Sequence, residues 1–65
     1  MGKSWTSAEI LKALEAIGFE RVSQKGSHIK LRNTAGKTVI VPHPRKDMPR
    51  GTLRSIERLA GIKFE

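Results

Sequence analysis

Residues 28–32 and 37–41 constrain the fold most, because together they predict a β-hairpin with one buried face. In the first segment Ile29 and Leu31 alternate with basic residues, which is the period of a strand that packs on one side. The second segment is rich in β-branched residues. Residues 33–36 between them (Asn-Thr-Ala-Gly) have the composition of a turn.

The length of that turn decides the register. A three-residue loop that closes on a left-handed Gly36 pairs Leu31 with Val39 and, one step further, Ile29 with Val41. A four-residue loop would pair Ile29 with Ile40 instead. We favour the three-residue loop, because it gathers the apolar side chains of both strands on one face.

A helix is predicted on each side of the strands. Thr6 and Glu9 have the spacing of a capping box, and Gly18 follows the apolar stripe, so we expect a first helix over 6–17. A second helix is predicted over 50–60 and ends at Gly61. Their inward-facing stripes are expected to contain Ile10, Leu11, Leu14, Ile17, Leu53, Ile56 and Leu59 or Ala60.

Residues 21–25 add a weaker strand, which gives the order α-β-β-β-α. The fold class is therefore α+β, and residues 1–65 form a single domain. A three-stranded antiparallel sheet with both helices on one face buries every apolar stripe. This arrangement leaves the other face of the sheet open to solvent.

The size of the chain excludes several classes of function. A chain of 65 residues has only a small core, which is too small to frame a dinucleotide cleft. The absence of cysteine excludes disulfides, thiolate metal sites and a cysteine nucleophile. No apolar run approaches the roughly 18 residues that span a bilayer. We therefore expect a cytoplasmic protein with no membrane association, no metal and no cofactor.

The positive charge is concentrated in one part of the sequence. The chain has 13 Lys and Arg against 6 Asp and Glu. Residues 21–58 contain ten of those cations but only Asp47 and Glu57 as acids. Charge concentrated in this way favours a polyanionic partner, most simply nucleic acid. The alternative is a generic basic surface that aids solubility.

His28 is the residue best suited to catalysis. The alternation places its side chain with Lys30 and Arg32, away from the apolar face. Histidine titrates near neutral pH and can act as a general acid or base, and neighbouring cations would bind a phosphate. Such a group suits attack of an RNA 2′-hydroxyl on the adjacent phosphate, which DNA cannot undergo. The alternative is an exposed histidine that only contacts phosphate.

Other basic residues are candidates for contact with RNA. Lys25 precedes the His28 turn, and Arg50, Arg54 and Arg58 recur every fourth residue along the second helix. We favour nucleic acid over an ordinary solvated face for this helical stripe, because the positive charge is concentrated in this part of the chain, although the same stripe could dock an acidic protein. His43 could supply a second acid or base, or could simply be a turn residue between two prolines. The two histidines fall short of a zinc site, because no carboxylate accompanies them.

Several motifs, taken in order, resemble the HicA family of toxin mRNA interferases. They are Gly-Ser-His at 26–28, Val-Pro-His at 41–43, Gly-Thr-Leu-Arg-Ser-Ile at 51–56 and Ala-Gly-Ile at 60–62, and the resemblance covers about residues 4–62. It implies a double-stranded-RNA-binding-domain-like fold. It also implies an endoribonuclease toxin of a type II toxin–antitoxin pair, acting on mRNA and neutralised by a HicB-type antitoxin.

The resemblance assigns the catalytic role to His28, the histidine of Gly-Ser-His. Ser27 in the same motif and His43 are possible auxiliary residues. Many relatives have a second histidine directly after the first, whereas this chain has Ile29 there. Two other readings remain: a non-catalytic RNA-binding module, and a protein-interaction domain that docks an acidic partner through the second helix.

Overall fold

A computed structural model describes residues 4–64 and has the predicted order of elements. The elements are α1 (Ser7–Ala16), β1 (Glu20–Lys25), β2 (His28–Arg32), β3 (Thr38–Pro42) and α2 (Arg50–Ala60). The strands form one antiparallel sheet in the order β1-β2-β3, so β2 lies in the middle. The predicted fold class is confirmed.

Both ends of α1 are formed by the local signals in the sequence. The Thr6 hydroxyl accepts the backbone N–H of Glu9 at 3.1 Å, and the Glu9 carboxylate accepts that of Thr6 at 3.0 Å, which completes the predicted capping box. At the other end Gly18 has a φ of +103°, and Phe19 N–H donates to the carbonyl of Leu14 at 3.0 Å. This pair of features stops the helix and returns the buried Phe19 to the core.

The hairpin of β2 and β3 has the favoured register. Leu31 pairs with Val39 and Ile29 with Val41, so the alternative pairing of Ile29 with Ile40 is wrong. Gly36 has the left-handed φ of +86° that the short loop requires. The third strand lies one residue later than predicted at each end, because Thr38 and Pro42 pair with the two ends of β2.

β1 begins one residue earlier than predicted and is exposed along its whole length. Its pairing with β2 is interrupted between Arg21 and Ser23, where Val22 forms a bulge and remains 48% exposed. The bulge keeps Ser23 and Lys25 on the same face of the sheet as the polar side chains of β2.

Both helices pack on one face of the sheet, as predicted. A single buried cluster joins them to β2 and β3, and it consists of Ile10, Leu11, Leu14, Phe19, Ile29, Leu31, Val39, Val41, Met48, Ile56 and Phe64. The Trp5 ring packs on Phe64 with centroids 5.3 Å apart, so these aromatic groups belong to the core and not to a stacking platform. Among the described residues, neither helix has the length and apolar character that crossing a bilayer requires.

Candidate active site

The face of the sheet that is turned away from both helices is called here the outer sheet face. Its three rows, read across β1, β2 and β3, are Lys25–His28–Pro42, Ser23–Lys30–Ile40 and Glu20–Arg32–Thr38. No element among residues 4–64 covers this face, because α1 and α2 both lie on the inner side. A polymer can therefore approach the central strand directly.

His28 occupies the first row at the start of β2. The preceding turn is made by Gly26, which has a φ of +58°, and the imidazole is exposed. Within residues 4–64 the ring makes no hydrogen bond or ion pair that would occupy its nitrogens. The imidazole is thus free to exchange a proton with a bound molecule.

Two of the predicted phosphate contacts surround His28. Lys25 lies directly opposite it on β1, where side chains of paired residues have Cβ atoms about 4.5–5.5 Å apart. Lys30 is two residues along the same strand and on the same face, about 7 Å away. A phosphate placed over this part of the sheet would lie within reach of both ammonium groups and of the imidazole.

Arg32 shares the outer sheet face but has a different environment. It lies at the far end of β2, opposite Glu20 of β1. The carboxylate offsets part of the positive charge at that end. The net positive charge is therefore greatest in the first two rows, beside His28.

Only the backbone of the second histidine, His43, lies near His28. The His43 N–H donates to the Ser27 carbonyl at 2.7 Å, which joins the end of β3 to the turn before His28. The imidazole of His43 lies on the helical side, where its Nδ1 is 2.7 Å from the Ser7 hydroxyl of α1. Pro42 pairs with His28 on the outer sheet face, so strand alternation sends the two rings to opposite sides of the sheet.

The predicted helical stripe lies apart from the outer sheet face. Arg50, Arg54 and Arg58 are exposed, and the latter two lie nearly opposite the buried Ile56 around α2. Because Ile56 points to the sheet, this stripe faces solvent on the helical side of a molecule whose smallest dimension is 18 Å. The six predicted RNA-contacting cations thus divide into two groups of three.

Two further features lie near the site, and only the second was not predicted from the sequence. Arg45 and Lys46 are exposed in the loop that begins at His43, so they lie at the same end of the sheet as His28. The Ser7 hydroxyl is 2% exposed, and it accepts the N–H of Arg45 at 2.9 Å besides contacting His43. The basic loop was visible in the sequence, whereas nothing local to Ser7 signals a contact 36 residues away.

In the part of the chain from residue 4 to residue 64, no three His, Asp or Glu side chains come together as metal ligands would. Among the described residues of the outer sheet face, the titratable groups able to bind phosphate or exchange a proton are the His28 imidazole, the ammonium groups of Lys25 and Lys30, the Arg32 guanidinium and the Glu20 carboxylate. Their arrangement suits binding of a phosphodiester and transfer of a proton.

Comparison with known proteins identifies a family and a similar solved structure. The family model for the HicA toxin of bacterial toxin–antitoxin systems matches residues 7–62. A solved structure of the HicA3 and HicB3 toxin–antitoxin complex contains a chain that is 33% identical, with a TM-score of 0.82, and the match covers 94% of this chain and 100% of that one. No curated protein sequence matches. The chain belongs to the HicA family and is a toxin of a toxin–antitoxin system.

Proposed function

We propose that this toxin is an endoribonuclease that cleaves mRNA, with His28 as its general acid and base. The observation that supports this most is the exposed, unoccupied imidazole of His28, which has Lys25 across from it and Lys30 beside it on an open face. Membership of the HicA family adds to this argument, because the histidine in question is that of the Gly-Ser-His motif.

The reaction needs only groups of the outer sheet face. Neutral His28 takes the proton of the 2′-hydroxyl, the 2′-oxygen forms a bond to the adjacent phosphorus, and the bond from phosphorus to the 5′-oxygen breaks. The protonated imidazole, or water, returns a proton to that 5′-oxygen. The products are a 2′,3′-cyclic phosphate and a 5′-hydroxyl.

The cations stabilise the charge that develops on the phosphate oxygens. Lys25 and Lys30 act at the scissile phosphate and the phosphate next to it, and Arg32 binds the RNA strand further along β2. In the longer substrate, Arg50, Arg54 and Arg58 extend the binding surface onto the helical side. Ser27 acts through its backbone, because it joins the turn at 26–27 to His28.

A HicB-type antitoxin is the proposed protein partner. The similar solved structure is that of a toxin–antitoxin complex, and the match covers the whole length of the matched chain. An antitoxin that covered the outer sheet face would block access of RNA to His28. The proposal predicts that a co-expressed antitoxin abolishes RNA cleavage, which a cleavage assay on the purified complex measures.

The direct test compares wild type with His28→Ala on a long unstructured RNA in the presence of EDTA. Ile40→Ala is the matched control, because Ile40 is also exposed on the outer sheet face, at 45%, and carries no chemistry. General acid–base catalysis contributes about 100- to 10,000-fold. The His28 variant should lose at least about 100-fold in rate, while the control keeps its rate.

The other outcomes each decide against the proposal. Equal cutting by wild type and His28→Ala would mean that another group is catalytic. Binding of RNA by both proteins without any cutting would make the chain a non-catalytic RNA-binding module. Binding of an acidic protein with no affinity for RNA would make it a protein-interaction domain.

A further inference from the structure

Ser7, in the first turn of α1, is connected by hydrogen bonds to the turn before His28. It is buried, with 2% of its surface exposed, and it is the one polar residue in the buried part of residues 4–64. A polar group that is removed from water this completely normally has a defined hydrogen-bonding role. The capping of α1 does not supply that role, because Thr6 provides the cap.

Ser7 makes three hydrogen bonds to the loop that follows β3. Its backbone N–H donates to the carbonyl of Arg45 at 2.8 Å, and its hydroxyl accepts the N–H of Arg45 at 2.9 Å. The same hydroxyl lies 2.7 Å from Nδ1 of His43. Every group is satisfied when the hydroxyl donates its proton to Nδ1, which leaves the ring proton of neutral His43 on Nε2.

His43 connects Ser7 to the turn before His28. Its N–H donates to the carbonyl of Ser27 at 2.7 Å, and Ser27 precedes His28. The turn at 26–27 joins the exposed edge strand β1 to β2 and contributes nothing to the buried cluster. The hydrogen bond from His43, beside the pairing of His28 with Pro42, therefore holds this turn against the end of β3.

We propose that Ser7 and His43 are positioning residues, called here the clamp, that hold the turn before His28 and so aim its imidazole at the scissile phosphate. This inference rests on the proposed ribonuclease function and adds to it two residues that act at a distance. Neither touches the scissile phosphate, since Ser7 is buried and the ring of His43 lies on the opposite side of the sheet from His28.

The test uses substitutions that distinguish the role of Nδ1 of His43 from that of Nε2. In His43→Asn the side-chain amide replaces Nδ1 and can still accept from Ser7, whereas it has no counterpart of Nε2. His43→Ala removes both nitrogens, and Ser7→Ala removes the hydroxyl partner. Ile56→Val is the control for stability, because it trims a buried residue of α2 that takes no part in the hydrogen bonds of Ser7 and His43. All variants are assayed for kcat and KM at a temperature at which thermal melts show them folded.

Misplacement of a reacting group by about 1 Å costs on the order of 100-fold in rate. Ser7→Ala and His43→Ala should therefore each lower kcat about 10- to 100-fold, with KM changed less than about threefold since no phosphate contact is lost. His43→Asn should stay within about threefold of wild type. The double variant Ser7→Ala/His43→Ala should be no slower than either single variant, because both act through one connection.

Three results would overturn the proposal. If His43→Asn is as slow as His43→Ala, Nε2 takes part in catalysis and the ring is not merely a support. If Ser7→Ala retains full kcat, the clamp does not position His28. If Ile56→Val lowers kcat as much as Ser7→Ala does at equal thermal stability, the loss reflects a general disturbance of the core and not the positioning of His28.

A second readout separates this inference from the proposed function. Amide hydrogen exchange of His43 N–H should be at least about tenfold faster in Ser7→Ala than in wild type, because its acceptor in the turn is no longer held in place. Wild type that cuts no RNA would refute the ribonuclease, while the exchange rate would still decide whether Ser7 holds the turn. Unchanged exchange in Ser7→Ala would refute the clamp in a protein that cuts RNA normally.

Discussion

The division of six cations between two surfaces makes a quantitative prediction about RNA binding. Lys25, Lys30 and Arg32 lie on the outer sheet face, whereas the three arginines of α2 face solvent on the helical side. A short RNA that binds over His28 can therefore reach only the first group. A longer RNA has to pass around a molecule that is 18 Å across at its narrowest to reach the second group.

Each neutralised phosphate of a single strand adds about −0.7 to the slope of log K against log salt. Three contacts give a slope of about −2 for a tetranucleotide, which has three phosphates. Six contacts give about −4 for an RNA of roughly 20 nucleotides. Between 50 and 200 mM salt, affinity should fall about 16-fold for the short RNA and about 250-fold for the long one.

Fluorescence anisotropy on 2′-O-methyl RNA measures these slopes without cleavage. Lys30→Ala should reduce the slope by about 0.7 for both RNA lengths, while Arg54→Ala should do so only for the long RNA. The two variants are matched, since each removes one exposed or half-exposed cation. An equal effect of Arg54→Ala on the tetranucleotide would refute the division of the binding surface.

Three predictions concern the fold and are checked by urea denaturation. Leu31→Ala, at a fully buried position, should lower the free energy of unfolding by about 2–5 kcal/mol and unfold much of the population. Ile40→Ala, on the outer sheet face, should change it by no more than about 0.5 kcal/mol. Similar losses from the two variants would contradict the assignment of the two faces. Thr6→Ala should cost about 1 kcal/mol through loss of the capping box, and no change would show that the cap contributes nothing. Gly36→Ala should cost about 1 kcal/mol or more because φ is +86° there, and a neutral or stabilising effect would contradict that conformation.

Features set by neighbouring residues were predictable from the sequence. The start of α1 depends on two side chains three residues apart, and its end depends on Gly18 and the apolar residue after it. The register of the hairpin follows from a short loop and from the requirement that Leu31 and Val39 share a buried face. The bulge at Val22 was not predictable, because β1 is exposed on both faces and its side chains give no periodic signal.

The candidate site was predictable only in part, because some of its contacts join residues that are far apart in the sequence. The sequence identified His28 and its cationic neighbours, because alternation along one strand determines which side chains share a face. It left the position of His43 open, although the favoured register already implies that Pro42 and His43 point to opposite sides. The contact between Ser7 and His43 joins residues that are far apart in sequence, and only tertiary packing brings them together.

The central claim is that an imidazole on an open sheet face promotes attack by the 2′-hydroxyl of RNA. Mass spectrometry of the products of a short RNA, cut by wild type in EDTA, tests it most directly. We expect a 2′,3′-cyclic phosphate and a 5′-hydroxyl from the wild type, little or no product from His28→Ala, and no cutting where the scissile nucleotide is 2′-deoxy. Products with a 5′-phosphate and a 3′-hydroxyl, or cutting of the 2′-deoxy substrate, would contradict it.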